Sequence, residues 1–354
     1  MILTEEPFSS PRAFSQPRLR PQTVALTVAL LLSGCSSLPH RTPAPETAAS
    51  AAARTATGAG TPAIATLPVL QALRAQWPAA AIEIWGYPHV AELAVAAGLA
   101  QSVVSLDRAE MARFFVPEPQ FTDAQVAAVR SFDLIFNYLH DPVGQVRSNL
   151  LLAGAKQVLS GSPIVKRGHA VPFLLEPLQA LALYDTELVP TLEWPADRRA
   201  QGRERLRALG LRGRLVAVHP GSGSPAKNWP VARFVEIVRR LRAAGRETVA
   251  VFGEADAAEA AVFARELPDL PVLAGLTLLE LAGALAECGA FLGNDSGIAH
   301  LAAAVGLPTT ALFGPSDPDV WSPRGRGGVR VLRAPEGELE RLEISAVWNA
   351  LAQP

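Results

Sequence analysis

The sequence predicts an α/β protein made of two doubly wound domains facing a cleft. Strand-like and helix-like text alternates twice along the chain, short apolar runs end in Gly-Pro or Gly-rich turns, and a charged, Pro-containing stretch separates the two series. With 354 residues, 49% hydrophobic and 18% charged, the chain is long enough for two cores of ordinary size.

The first series begins at about Thr66. "TLPVLQALRAQWP" carries Leu67, Leu70 and Leu73 at helical spacing and stops at Pro78. "AIEIWG" (81–86), "SVVSL" (102–106) and "FDLIFNY" (132–138) read as strands, and "TDAQVAAVR" as a helix that Thr122 or Asp123 can cap. The segment 192–214 contains Pro195 and a cluster of charges, which places the domain boundary near Glu193. Residues 61–192 then form the first domain and 193–354 the second, including a C-terminal helix. In the second series "RLVAVHPG" is a strand. "WPVARFVEIVRRLRAAG" is a helix from Pro230 to Gly245 with Val231, Phe234, Val235, Val238 and Leu241 on one face. "ETVAVFG", "CGAFLG" and "TTALFG" are further strands, with "TLLELAGALAE" a helix between the first two. Alternation of this kind implies parallel sheets covered on both faces, with ligands at the carboxyl ends of the strands.

Composition excludes several classes. A formal net charge of −1 provides no general attraction to nucleic acid. Cys35 and Cys288 are the only cysteines, and the six histidines are scattered, so neither a disulfide framework nor a zinc or iron site is expected. Lysine occurs only at 156, 166 and 227 in an arginine-rich chain, a hint that a compact ammonium is wanted there.

Three strand ends concentrate polar chemistry. In "HPGSGSPAKNWP" (219–230), Gly221 and Gly223 allow close backbone approach, and Ser222, Ser224 and Lys227 supply donors suited to an anion, although a plain turn would have similar glycines. In "FGEADAAE" (252–259), Glu254 or Asp256 could accept from ribose hydroxyls or simply cap a helix. In "GNDSGIAHLAAAVGLPTTALFGPSDP" (293–318), Asp295 or Ser296 would cap a helix over 297–305, with Gly306 as its stop. Its first turn would present free N–H groups to the cleft as a phosphate site, Gly297 keeping it open and His300 within reach to donate.

These last segments, with "TLPVLQALRAQWP", resemble glycosyltransferase family 9, the ADP-heptose:lipopolysaccharide heptosyltransferases, over about residues 66–335. The resemblance implies a GT-B fold of two Rossmann-like domains. It also implies metal-independent, inverting transfer of a heptose from an ADP-sugar, with no cofactor, to a lipid-linked glycan acceptor at the inner membrane surface. By position, Lys227 and the turn from Ser222 through Gly223 to Ser224 would contact the donor phosphates. Glu254 would lie near the ribose, Leu276 and Thr277 near the adenine, and Asp295, Ser296, Gly297 and His300 would hold the diphosphate and sugar.

The N-terminus departs from that pattern. Family members open with a strand and a Gly-x-x-Gly-Asp turn whose Asp is the general base. Here "GAGTPAIATLP" puts Thr61 and Pro62 in the places of the second glycine and the Asp, so the catalytic residue is unassigned. "ETAASAAARTAT" upstream lacks the apolar run of a central strand, so the first strand is expected to be missing. Residues 1–60 read as a signal-like or mis-called segment: "TVALTVALLLSGC" suits a signal-peptide core and a lipobox at Cys35. An altered start with a cytoplasmic protein is one account; an exported lipoprotein anchored through Cys35, keeping the fold as a binding module, is the other. A GT-B enzyme using another nucleotide sugar is a third reading. For the acceptor side, His89, His140 and Arg147 are generic polar candidates.

Overall fold

A computed structural model of the protein describes residues 64–184 and 188–352, and residues 27–32 as backbone. Two parallel sheets organise it. The first contains β1 (Thr27–Leu32), β2 (Ala81–Gly86), β3 (Ser102–Ser105), β4 (Leu134–Tyr138) and β5 (Val158–Ser160) in the order β3-β2-β1-β4-β5. Its helices are α1 (Leu67–Gln76), α2 (Pro88–Ala96), α3 (Asp123–Ser131), α4 (Gln145–Leu152) and α5 (Ala170–Leu175).

The expectation that the first strand is missing is corrected. Residues Thr27–Leu32, the stretch read as a signal-peptide core, form the central strand β1. Val28 is in register with Ile82 on one side and Leu134 on the other, and Leu31 with Trp85 and Asn137. A short apolar run meets the requirements of a signal core and of a strand buried on both faces alike, so its pattern could not separate them. What separates them is pairing: without β1, the facing backbone groups of β2 and β4 would have no ladder partner. Cys35, Thr61 and Pro62 lie outside the described residues.

The second sheet contains β6 (Val216–His219), β7 (Thr248–Phe252), β8 (Val272–Ala274), β9 (Ala290–Asn294), β10 (Thr309–Phe313) and β11 (Val329–Arg333), in the order β11-β10-β9-β6-β7-β8. Around it lie α6 (Ala196–Ala208), α7 (Val231–Ala243), α8 (Ala257–Glu266), α9 (Leu278–Leu285), α10 (Gly297–Ala304), α11 (Pro318–Trp321) and α12 (Ile344–Ala352). β6, β7 and β10 are buried along their whole lengths, as strands covered on both faces must be. α7 buries Phe234, Val235, Val238 and Leu241 as its spacing predicts, and Ile237 besides, while Val231 is half-buried. Gly245 and Gly306 follow the helix ends with φ of 74° and 86°, the left-handed conformation that stops a helix.

The domains meet through apolar packing of α2 against α9, and one buried cluster runs from Leu70 and Leu93 through Leu281 to Leu301. Leu192 N–H donates to Ala304 C=O at 2.8 Å, so the segment at the boundary is tied to the second domain.

The strand role of residues 27–32 makes a sharp prediction. Ala29→Pro removes a ladder donor from the middle of the sheet and should abolish the cooperative unfolding transition seen by calorimetry. Release of a fragment beginning at Cys35 would delete the same strand. A stable, folded 35–354 fragment would show the strand to be dispensable.

Candidate functional site

Every ladder of the second sheet is parallel, so the loops after β9, β6, β7 and β8 emerge at one edge, side by side in that order. All the residues singled out in the sequence of this domain lie on these loops or on the helices they open.

β9 ends at Asn294, and Ser296 rather than Asp295 caps α10, its Oγ accepting from Ala299 N–H at 3.3 Å. That leaves Asp295, 4% exposed, to pair with Lys227: Nζ lies 2.8 Å from Oδ2. A carboxylate buried to this degree needs a cation, and Lys227, with 38% of its side chain exposed, reaches it from the β6 loop. The hinted role for an ammonium at 227 thus has a partner on the protein itself.

His300 lies in the first turns of α10 and is 4% exposed. Its Nε2 is buried with no partner, and the Trp321 carbonyl lies near enough to the ring to favour its protonated form. A neutral imidazole carries its proton on one ring nitrogen only, and Nε2 is the position left open here for a hydrogen bond. Burial pushes the imidazole down to about 4, against the opposing pull of Asp295. In the free protein the ring of His300 is thus neutral, with Nε2 unpartnered.

The β6 loop is shaped from within. Ser222 Oγ donates to Ser224 C=O at 2.7 Å and accepts from Ser224 N–H at 3.1 Å, so this hydroxyl builds the turn. Gly223 is exposed at its tip and Ser224 half-buried. Gly221 has a structural reason: a Cβ there would come within 1.8 Å of Asp256 Oδ1. Asp256 is itself buried and accepts from Gly253 N–H at 2.6 Å, so of the two acids after β7 it is the anchored one. Glu254 is exposed at the mouth. After β8, Leu276 is half-buried, and Thr277 caps α9 in a reciprocal pair with Glu280: Thr277 Oγ1 accepts from Glu280 N–H at 3.3 Å and Thr277 N–H donates to Glu280 Oε2 at 2.9 Å.

Some residues at this edge were not foreseen. Asn294 is fully buried between β9 and the β6 loop. Asn228 Nδ2 donates to Glu259 Oε1 at 2.8 Å, drawing a second acid to the loop. His169 crosses from the first domain: Val171 N–H donates to its Nδ1 at 3.2 Å, and its Nε2–H donates to Ser322 C=O at 2.9 Å, next to Trp321. Asn294 stood in a quoted motif, but nothing local in the sequence marks His169, since its partner lies in the other domain. Besides His300 Nε2, Asn228 Oδ1 and Ser316 Oγ are buried without partners, and all three lie on segments that follow β9, β6 and β10. Of the six such atoms among the described residues these three share the carboxyl edge of the second sheet, where a polar ligand would complete their bonding. No group of three His, Cys, Asp or Glu able to hold a metal occurs among the described residues.

On the opposing sheet, His89 lies in the first turn of α2 after β2, and His140 is two residues beyond β4, so both stand near carboxyl ends of strands flanking β1. Arg147 is exposed on α4.

A pH dependence follows from His300. Its ordinary value of 6.5 falls to about 4 on folding, so its neutral form contributes stability above pH 6.5 that is lost as pH drops towards 4. Calorimetric melting temperatures should fall across that window, and less so in His300→Gln. Equal slopes in the two proteins would remove His300 as a source.

Residues 147–346 match the model of glycosyltransferase family 9 (heptosyltransferase). The chain is 35% identical over 173 residues to lipopolysaccharide heptosyltransferase 2 of Salmonella typhimurium, covering 44% of this chain and 49% of that protein. It is 33% identical over 171 residues to lipopolysaccharide heptosyltransferase 3 of Escherichia coli, covering 47% and 48%. The chain thus spans about half the length of the curated relatives it matches. In fold it is similar to a glycosyl transferase family 9 protein from Veillonella parvula, with a TM-score of 0.68, 19% identity and 92% and 95% of the two chains covered. It is also similar to the E. coli heptosyltransferase WaaC with ADP, with a TM-score of 0.65, 17% identity and 92% and 99% covered. The two-sheet architecture is accordingly the GT-B fold.

Proposed function

The chain belongs to glycosyltransferase family 9, and from that membership we propose that it transfers a heptose, or a related sugar, from an ADP-sugar to a lipopolysaccharide-core or similar lipid-linked glycan. The observation that carries this reading is the unpartnered, buried Nε2 of His300, at the positive end of α10 and beside the Lys227–Asp295 pair. The diphosphate would lie against the first N–H groups of α10 and Lys227, and the nucleoside would extend along the loops of β7 and β8 past Glu254, Leu276 and Thr277. Relatives named for lipopolysaccharide heptose transfer, and a neighbour crystallised with ADP, support that choice of donor and acceptor class.

Transfer requires a hydroxyl oxygen of the acceptor to bond to the anomeric carbon as that carbon's bond to the diphosphate oxygen breaks. Attack opposite the leaving group inverts the centre. The negative charge that develops on ADP falls on Lys227 and the α10 amides, donors already in place, which supports departure of the diphosphate without a metal. The hydroxyl proton goes to a base that the described residues do not identify. His89 and His140 are acceptor-side candidates near strand ends of the facing sheet. His300, neutral in the free protein, takes up a proton at Nε2 when a phosphate oxygen reaches it.

We place the protein at the cytoplasmic face of the inner membrane, where a sugar nucleotide is available. Among the described residues no helix is long and apolar enough to cross a membrane. The exported-lipoprotein alternative conflicts with the strand role of residues 27–32, because cleavage before Cys35 would remove β1. Labelled palmitate appearing at Cys35 would favour that alternative.

Titration calorimetry tests the donor directly. ADP should bind, UDP at least tenfold more weakly, and Lys227→Ala should cost ADP about ten- to a hundredfold, the worth of a charge-assisted hydrogen bond. No ADP binding, or equal binding of UDP, would overturn the assignment. Repeating the titration in buffers of different ionisation heat should reveal proton uptake on ADP binding that His300→Gln reduces. Uptake unchanged in that variant would mean that His300 stays neutral.

A further inference from the structure

We propose that Asn294 is the positioning residue that sets the shape of the phosphate-facing loop, a role that rests on the donor reading above for its functional consequence. Its side chain is fully buried at the carboxyl end of β9. Oδ1 accepts from Trp229 N–H at 3.0 Å, while Nδ2 donates to Pro220 C=O at 2.7 Å, with Gly221 C=O at 3.4 Å. One amide thus grips both ends of the loop 220–229, which carries Ser222, Ser224 and Lys227.

Only a carboxamide meets this demand. One end of the loop offers a donor and the other an acceptor, and Asn presents one of each on a single planar group. An aspartate would keep the bond from Trp229 but set a carboxylate against two carbonyls. Other contacts hold the far end of the loop: Trp229 is buried, donates from Nε1 to Leu342 C=O at 2.9 Å and packs edge-on against Phe234 at 5.0 Å, and Asn228 Nδ2 donates to Glu259 Oε1 at 2.8 Å. At its near end the Asn294 bond is supplemented by the contact of Gly221 with Asp256. Because Asp295 is the next residue along the chain, Asn294 also sets the spacing across which Lys227 Nζ meets Asp295. Asn294 hydrogen-bonds to none of the three unpartnered atoms, so it acts through Lys227 and the loop backbone and not on a ligand.

The experiment uses the full chain and compares Asn294→Asp, Asn294→Ser and a core control, Leu241→Ala, which lies in α7 away from the loop. Hydrogen exchange on the free proteins is read first. The amides of 221–229 should lose protection in both Asn294 variants and keep it in Leu241→Ala, and this readout needs no ligand. Binding is read second: Asn294→Asp should weaken ADP about tenfold or more, and KM for the sugar nucleotide should rise while kcat changes by less than about threefold. Unchanged protection of the loop would overturn the proposal. So would loss of ADP affinity in Leu241→Ala equal to that of an Asn294 variant of matched melting temperature. If the parent protein fails to bind ADP, the donor reading falls, and the exchange data still decide whether Asn294 holds the loop.

Discussion

Every ladder in both sheets is parallel, and the rest of the molecule follows from that constraint. Parallel neighbours cannot be joined by tight turns, so each connection crosses a face of the sheet, commonly as a helix, and the strands between become buried on both sides. All carboxyl ends in a sheet then share one edge. In the second domain this brings together four loops that are far apart in sequence. A buried carboxylate, its lysine and a neutral histidine meet there without any of them being adjacent to all the others along the chain.

The same constraint explains why the N-terminal segment matters. A parallel sheet has no spare edge in its middle: β2 and β4 each present backbone groups that only an intervening strand can pair. The run Thr27–Leu32 fills that place. A segment that would otherwise read as an export signal is the piece on which the first domain's continuity depends.

At the site, the second domain combines fixed and open elements. Asn294, Asp256 and Trp229 are buried and bonded, and they hold backbone. Lys227 and His300 stand on that frame with capacity left over, the lysine partly exposed and the histidine with a free ring nitrogen. The contact of His169 with Ser322 brings the first domain to the same edge. Several of the glycines and serines that suggest ligand contact prove to shape the loop: Gly221 makes room for Asp256 and Ser222 closes its own turn.

The sequence by itself determined the alternating architecture, the long central elements of the second domain, and the capped start of α10. In each case local pattern and burial demand the same thing, as in the apolar face of α7 or the glycine stop at 306. It did not reveal β5, β8 and β11, which are edge strands with half-exposed or exposed positions and so lack a continuous apolar run. Nor could it place residues 27–32, whose apolar pattern is shared by a signal core and a buried strand. Only the tertiary structure decided that strand, the pairing of Lys227 with Asp295, the unpartnered Nε2 of His300, and the grip of Asn294 on its loop. Each depends on a partner distant in the sequence, and no local pattern carries the identity of a partner that folding alone brings near.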